Sequence, residues 1–149
     1  MTMKSTARAV WEHDLLKGSG TVHFMSGASP DLPVSWAART EASNGKTSPE
    51  ELLAAAHAAC YSMAFSAGLA RNGTPPDRLD VQAVATFDKV GEAWRVTTME
   101  LSVTGKVPKI TQQKFDELAG AAKEGCPISN AIKGNVEIRL TTRLVPSGS

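Results

Sequence analysis

The sequence predicts an α+β fold with an antiparallel sheet and a long central helix that carries Cys60. Segments of alternating apolar and polar residues come in neighbouring pairs joined by glycine-bearing turns, as hairpins do. One alanine-rich stretch has a full set of helix-start signals. The helical segments cluster apart from the strand pairs, so the order reads β-β-β-α-β-β-α-α-β and not the strict alternation of a parallel α/β sheet.

Residues 4–11 read as a first strand, with Gly18 and Gly20 bracketing the turn to a second at 21–25. Pro30 and Pro33 mark a loop, and residues 34–40 are expected to form a third short strand ending near Arg39. Ser43-Asn44-Gly45-Lys46 is a turn. Ser48 is then a predicted N-cap, Pro49 suits the first helical position, and Glu51 completes a capping box. The helix is expected to run to about Ala70, where Asn72-Gly73 ends it, and to set Leu53, Ala56, His57, Cys60 and Ala64 on one side. So few of its residues are polar that it should be largely buried. Strands at 79–90 and 94–107 follow, with Gly91-Glu92 between them. Thr111 can cap a second helix presenting Phe115, Leu118 and Ala122, which Gly125 stops. A short helix from Cys126-Pro127 to about Lys133 and a last strand at 136–145 complete a single expected domain over 1–149. Within it a β lobe of about 1–47 precedes a helix-led α+β part of about 48–149.

Composition narrows the function. The chain has 149 residues, 42% of them apolar, and a formal net charge of +1, so neither nucleic acid nor an anionic membrane is an expected partner. No apolar h-region stands at the N-terminus and no apolar run approaches the roughly 18 residues of a span. The expected compartment is the cytoplasm. Thiols there are kept reduced, so the cysteine pair, Cys60 and Cys126, points to redox, catalytic or metal chemistry more than to a structural staple. Only His57 lies near enough in sequence to join them as a ligand, and no fourth ligand suggests itself for zinc.

The chemistry-bearing residues read as follows. Cys60 sits mid-helix among alanines, where a thiol usually behaves as a small hydrophobe and needs a nearby cation to become a thiolate. Cys126, between Gly125 and Pro127 at a helix junction, faces free N–H groups and by that local argument is the more acidic thiol. Arg39 is either a solvated strand-end residue or a fixed guanidinium able to stabilise a thiolate. Glu50 either complements the helix dipole or holds Arg39 in a bidentate pair. His57, one turn before Cys60, is a core histidine or a base for that thiol.

Arg39-Thr-Glu, then Thr47-Ser-Pro-Glu-Glu-Leu-Leu-Ala-Ala-Ala-His-Ala-Ala-Cys60-Tyr-Ser-Met-Ala64, and far downstream Gly125-Cys-Pro-Ile-Ser129, together resemble the OsmC/Ohr family of peroxidases. The likeness runs over nearly the whole chain, and Arg39 and His57 favour the OsmC branch. The resemblance implies that Cys60 is the peroxidatic thiol, Cys126 the resolving thiol, Arg39 the activating arginine and Glu50 its partner. It also implies an intertwined homodimer, organic hydroperoxide substrates, a dithiol reductant of the lipoyl type, and no cofactor. The implied acidity of Cys60 runs against the local argument for Cys126. Helix geometry adds a constraint, because Glu50 and Cys60 are ten residues apart. At about 1.5 Å per residue their backbones lie some 15 Å apart along a straight helix, so either the helix breaks between them or the site is shared between two copies; the capping box and the alanine run argue against a break. A ligand-binding module for a small hydrophobic molecule and a thiol redox sensor are the readings from other functional classes.

Overall fold

The computed structural model describes residues 1–146, which form two compact units, Met1–Leu52 and the chain from Leu53 onward. In the first, β1 (Ala7–Glu12), β2 (Ser19–Phe24) and β3 (Leu32–Val34) form an antiparallel sheet in that order. Asp14 shapes the β1–β2 turn, its carbonyl accepting from the Gly18 N–H at 2.8 Å and its carboxylate from the Lys17 N–H at 2.7 Å.

Residues 34–40 are not a strand. Extended structure stops at Val34, and Ser35 caps a short helix α1 (Trp36–Thr40), its hydroxyl accepting from the Ala38 N–H at 3.1 Å. Trp36-Ala37-Ala38-Arg39 has no period-2 alternation to hold it in a sheet, and a serine cap offers those N–H groups a local partner. Arg39 therefore projects from a helical turn.

The central helix α2 spans Pro49–Arg71 without a break. Ser48 is its N-cap, with Oγ accepting from the Glu51 N–H at 3.1 Å. The Glu51 carboxylate, expected to reach back to the Ser48 backbone, instead accepts the Thr47 hydroxyl. At the far end the Gly73 N–H bonds to Ala70 O at 2.9 Å and the Thr74 N–H to Leu69 O at 3.0 Å. These bonds turn the chain through a left-handed position (φ 82° at Gly73) that glycine adopts without a Cβ clash.

The second unit is organised by the long hairpin of β4 (Arg78–Val90) and β5 (Ala93–Lys106), with a bulge at Thr86/Phe87. Helices α3 (Gln112–Gly125) and α4 (Pro127–Ile132) lead to β6 (Glu137–Leu144), which pairs with β5 in parallel. The expected antiparallel pairing thus holds for β4–β5, while the α3–α4 crossover brings β6 back in the direction of β5. Thr111 caps α3, accepting from the Lys114 N–H at 3.1 Å.

The core of this unit joins Tyr61, Phe65 and Leu69 of α2 to Leu101 and Val103 of β5 and to Phe115 and Ala119 of α3. Gly105 is required here, since a Cβ would lie 2.6 Å from the Phe115 ring. The buried stripe of α2 is His57, Tyr61, Phe65 and Leu69, at i,i+4 spacing. Cys60 lies at its edge, half-buried, and the face with Ala55, Ala56, Ala59 and Met63 is open. Only 28% of the helix's apolar window is buried, so the expectation of a largely buried helix fails within one chain. Alanine lets a helix look apolar without packing in all directions. The helix also meets the length and composition of a membrane span, contrary to the expectation that no segment does, yet its bulky side chains pack into the core of its own unit.

Candidate active site

Two constellations form, one in each unit. In the second unit the core fixes α2 against α3: the Tyr61 hydroxyl donates to the Ala119 carbonyl at 2.9 Å, and Phe65 packs on Phe115 with ring centroids 5.1 Å apart. Cys60 follows α2 one residue before Tyr61, and Cys126 terminates α3. The Cys126 N–H closes α3 on Ala122 O at 2.9 Å, while its carbonyl accepts from the Asn130 N–H at 3.0 Å and opens α4. Pro127, lacking an N–H, suits the first position of α4. Both cysteines are free thiols, Cys126 fully buried, and their side chains lie close enough for each thiol to shift the acidity of the other.

The two thiols differ in acidity. Burial raises that of Cys126, but the N–H groups of Ser129 and Ile128, the Cys60 thiol and the Ser129 hydroxyl outweigh it, so its pKa lies below the ordinary thiol value. Burial also raises that of Cys60, and there the N–H of Ile128 opposes too weakly against the hydrogen bond and charge of Cys126, so the pKa stays raised. Within one chain Cys126 is the more acidic of the two thiols, as the argument from the helix junction expects.

Three residues beyond Cys126, Ser129 is also buried, and its Oγ lies 2.7 Å from His57 Nε2. His57 is thus a core histidine whose partner is Ser129. Burial lowers its pKa from 6.5. The sequence alone marks Ser129 only as the end of the Gly125–Ser129 motif and gives it no role, because its partner His57 lies 72 positions away.

In the first unit Arg39 and Glu50 come together as expected. The Arg39 Nε donates to both carboxylate oxygens of Glu50, at 2.7 and 3.2 Å. The Glu50 side chain is 8% exposed and that of Arg39 32%. Glu50 stands in the first turn of α2, where N–H groups and the helix dipole favour a carboxylate. The guanidinium carbon of Arg39 lies 5.8 Å from the Trp36 ring centroid. Salt bridge, ring and helix hold this cation in one place. Trp36, placed one turn before Arg39 by α1, is a contributor the strand expectation missed.

A groove of about 470 Å³ opens between α2 and α3, lined by Ala64, Ala67, Gly68, Leu118 and Ala122 among others. Its small apolar wall begins one turn beyond Cys60.

A family model described as OsmC-like protein matches residues 42–141. The chain is 38% identical over 138 residues to the Peroxiredoxin OsmC of Escherichia coli (strain K12), covering 93% of this chain and 96% of that one. It is 29% identical over 96 residues to the Organic hydroperoxide resistance protein of Xanthomonas axonopodis pv. citri, covering 64% and 66%. Among solved structures, the organic hydroperoxide resistance protein OhrB of Bacillus subtilis superposes with a TM-score of 0.71 at 23% identity, over 93% of this chain and 98% of that one. An OsmC protein from Legionella pneumophila gives 0.72 at 22% identity, over 96% and 98%. At such identities the superpositions establish a common fold.

The depressed pKa of His57 has a consequence for stability. The neutral ring is favoured in the fold, so its contribution is complete above 6.5 and drains away as pH falls below that value. Urea unfolding across that range should show wild type losing stability toward acid more steeply than His57→Gln. Equal slopes would contradict a buried neutral imidazole.

Proposed function

The chain belongs to the OsmC-like protein family, and from that premise we propose that it is a thiol-dependent peroxidase that reduces organic hydroperoxides to alcohols. The observation that carries the reading is the pair of free thiols, Cys60 and Cys126, packed side by side at one core. In the proposed cycle the Cys60 thiolate attacks the terminal peroxide oxygen, the alcohol leaves, and a sulfenic acid remains. Cys126 condenses with it to a disulfide and expels water. A dithiol of the lipoyl type then reduces that disulfide by exchange. The groove between α2 and α3, whose wall of small apolar side chains begins one turn beyond Cys60, suits the alkyl part of an organic hydroperoxide. Its working compartment in this reading is the cytoplasm.

The acidity order inside one chain runs against Cys60 as first nucleophile, and a cation beside it reverses that order. We assign that cation to Arg39 of a second copy. Glu50 and Cys60 sit on one unbroken helix, which separates their backbones by about 15 Å and leaves a pair anchored at Glu50 poorly placed for its own chain's sulfur. The open face of α2, with Met63 71% exposed, gives a second copy an apolar surface to cover. The homodimer of this reading is therefore part of the catalyst: Arg39 and Glu50 of each chain serve Cys60 of the other.

The same groove also favours a second reading, a binding module for a small hydrophobic ligand in which the thiols are incidental. Turnover separates the two. Wild-type protein with dihydrolipoamide should consume cumene hydroperoxide, Cys60→Ser should be inactive, and Cys126→Ser should stall as a sulfenic acid. Full activity in Cys60→Ser would move the binding module to the front.

Mixing tests the shared site. Arg39→Ala should lower kcat/KM by about 100-fold, as losing a fixed charge-stabilising group does. Refolding Arg39→Ala together with Cys60→Ser should recover part of the wild-type rate, because the mixed dimer holds one intact site. Absence of recovery would place Arg39 and Cys60 of the same chain in one site.

A further inference from the structure

His57 is the buried titratable group that the proposed cycle leaves unused. It is fully enclosed, with Nε2 2.7 Å from Ser129 Oγ and Nδ1 without a hydrogen-bond partner among the described residues. A histidine kept only for packing has no reason to leave one nitrogen orphaned, and an orphaned buried polar atom asks for an explanation. Ser129 lies in the first turn of α4, and its hydroxyl stands beside the Cys126 sulfur. Three buried groups thus form a line from Cys126 through Ser129 to His57. A hydroxyl both donates and accepts, so the line has two polarities. In one, the Cys126 S–H points to Ser129 and the Ser129 O–H to Nε2. In the other, Nε2–H donates to Ser129, which donates to a Cys126 thiolate.

We propose that His57 and Ser129 form a proton relay serving Cys126 during disulfide closure, an inference that rests on the peroxidase reading. As closure begins, the Cys126 proton passes to Ser129 Oγ while the Ser129 proton passes to His57 Nε2. The Cys126 thiolate attacks the Cys60 sulfenic sulfur; the S–S bond forms, the S–O bond breaks, and hydroxide leaves. That hydroxide takes up the proton His57 has stored and departs as water. The sulfenic acid is itself the oxidant, so no further reagent is needed. Burial keeps the imidazole neutral before closure and disfavours the protonated ring, so the stored proton is held only until the departing hydroxide takes it. The other titratable groups around this line are Cys60, one turn further along α2, and Tyr61, whose own pKa is raised by burial and by the Cys126 charge. The relay places His57 on the resolving thiol through Ser129, where the sequence suggested a base for Cys60.

The test follows a single turnover with one equivalent of cumene hydroperoxide. Sulfenic acid is captured with dimedone, and closure is read by quenching and mass spectrometry. Two variants are compared with wild type. Ser129→Ala removes the bridging hydroxyl. His57→Gln keeps an N–H to hold Ser129 but cannot take a proton, which separates positioning from relay. Both should slow closure by at least about 10-fold relative to sulfenic acid formation, at the low end of general acid–base effects, and dimedone adduct should accumulate. His57→Gln closing at the wild-type rate overturns the relay, as does an equal fall in both steps, which marks a structural role. Wild-type protein that forms no sulfenic acid at all overturns the peroxidase reading and the relay with it.

Discussion

The closeness of the Cys60 and Cys126 thiols, each shifting the acidity of the other, sets the terms for the structure around it. Two residues far apart in sequence, one mid-helix and one between helices, meet because α2 and α3 are locked together a turn away. The Tyr61 hydroxyl on the Ala119 carbonyl and the Phe65–Phe115 contact form that lock. Gly105 lets the Phe115 ring come down onto β5. Ending α3 at Cys126 then turns the backbone so that α4 begins under the same sulfur. Packing, in this site, is the means by which reactive atoms are held at bonding range.

Electrostatics divides the labour between the thiols. Backbone N–H groups of α4 and the Ser129 hydroxyl make Cys126 the acidic partner within one chain. In the proposed cycle a resolving thiol benefits from that, because its proton has to come off before it attacks the sulfenic sulfur. The peroxidatic thiol has to be ionised earlier, and the desolvated end of Cys60 achieves this only beside a fixed cation. The Arg39–Glu50 pair, braced by Trp36, is such a cation. In the proposed dimer that cation serves the partner's thiol, which would reconcile the acidity order found in the chain with the order the proposed cycle needs.

Much of this was legible in the sequence because its signals are local. Ser48, Pro49 and the alanine run fix α2, and the spacing of Phe115 and Ala122 fixes the buried face of α3. The Arg39–Glu50 pair, one of two readings open for each residue and the one the family resemblance implied, forms in the structure. What was not legible depends on context. Residues 34–40 carry too few alternations to settle strand against helix, and Ser35 decides for α1 through a single hydrogen bond. The direction of β6 follows from the α3–α4 crossover and not from its own alternation. Alanine-rich composition overstated how much of α2 one chain buries, since a small side chain is apolar whether or not anything covers it. Ser129 was invisible because its role arises from His57, 72 positions away.

The central claim is that these two cysteines are one redox unit. Mass spectrometry of protein treated with one equivalent of tert-butyl hydroperoxide, digested without reductant, tests it most directly. The account predicts a loss of two hydrogens per chain and a peptide in which Cys60 is bonded to Cys126 of the same chain. Recovery of both cysteines as unlinked thiols, or of Cys60 linked to anything other than Cys126, would contradict it.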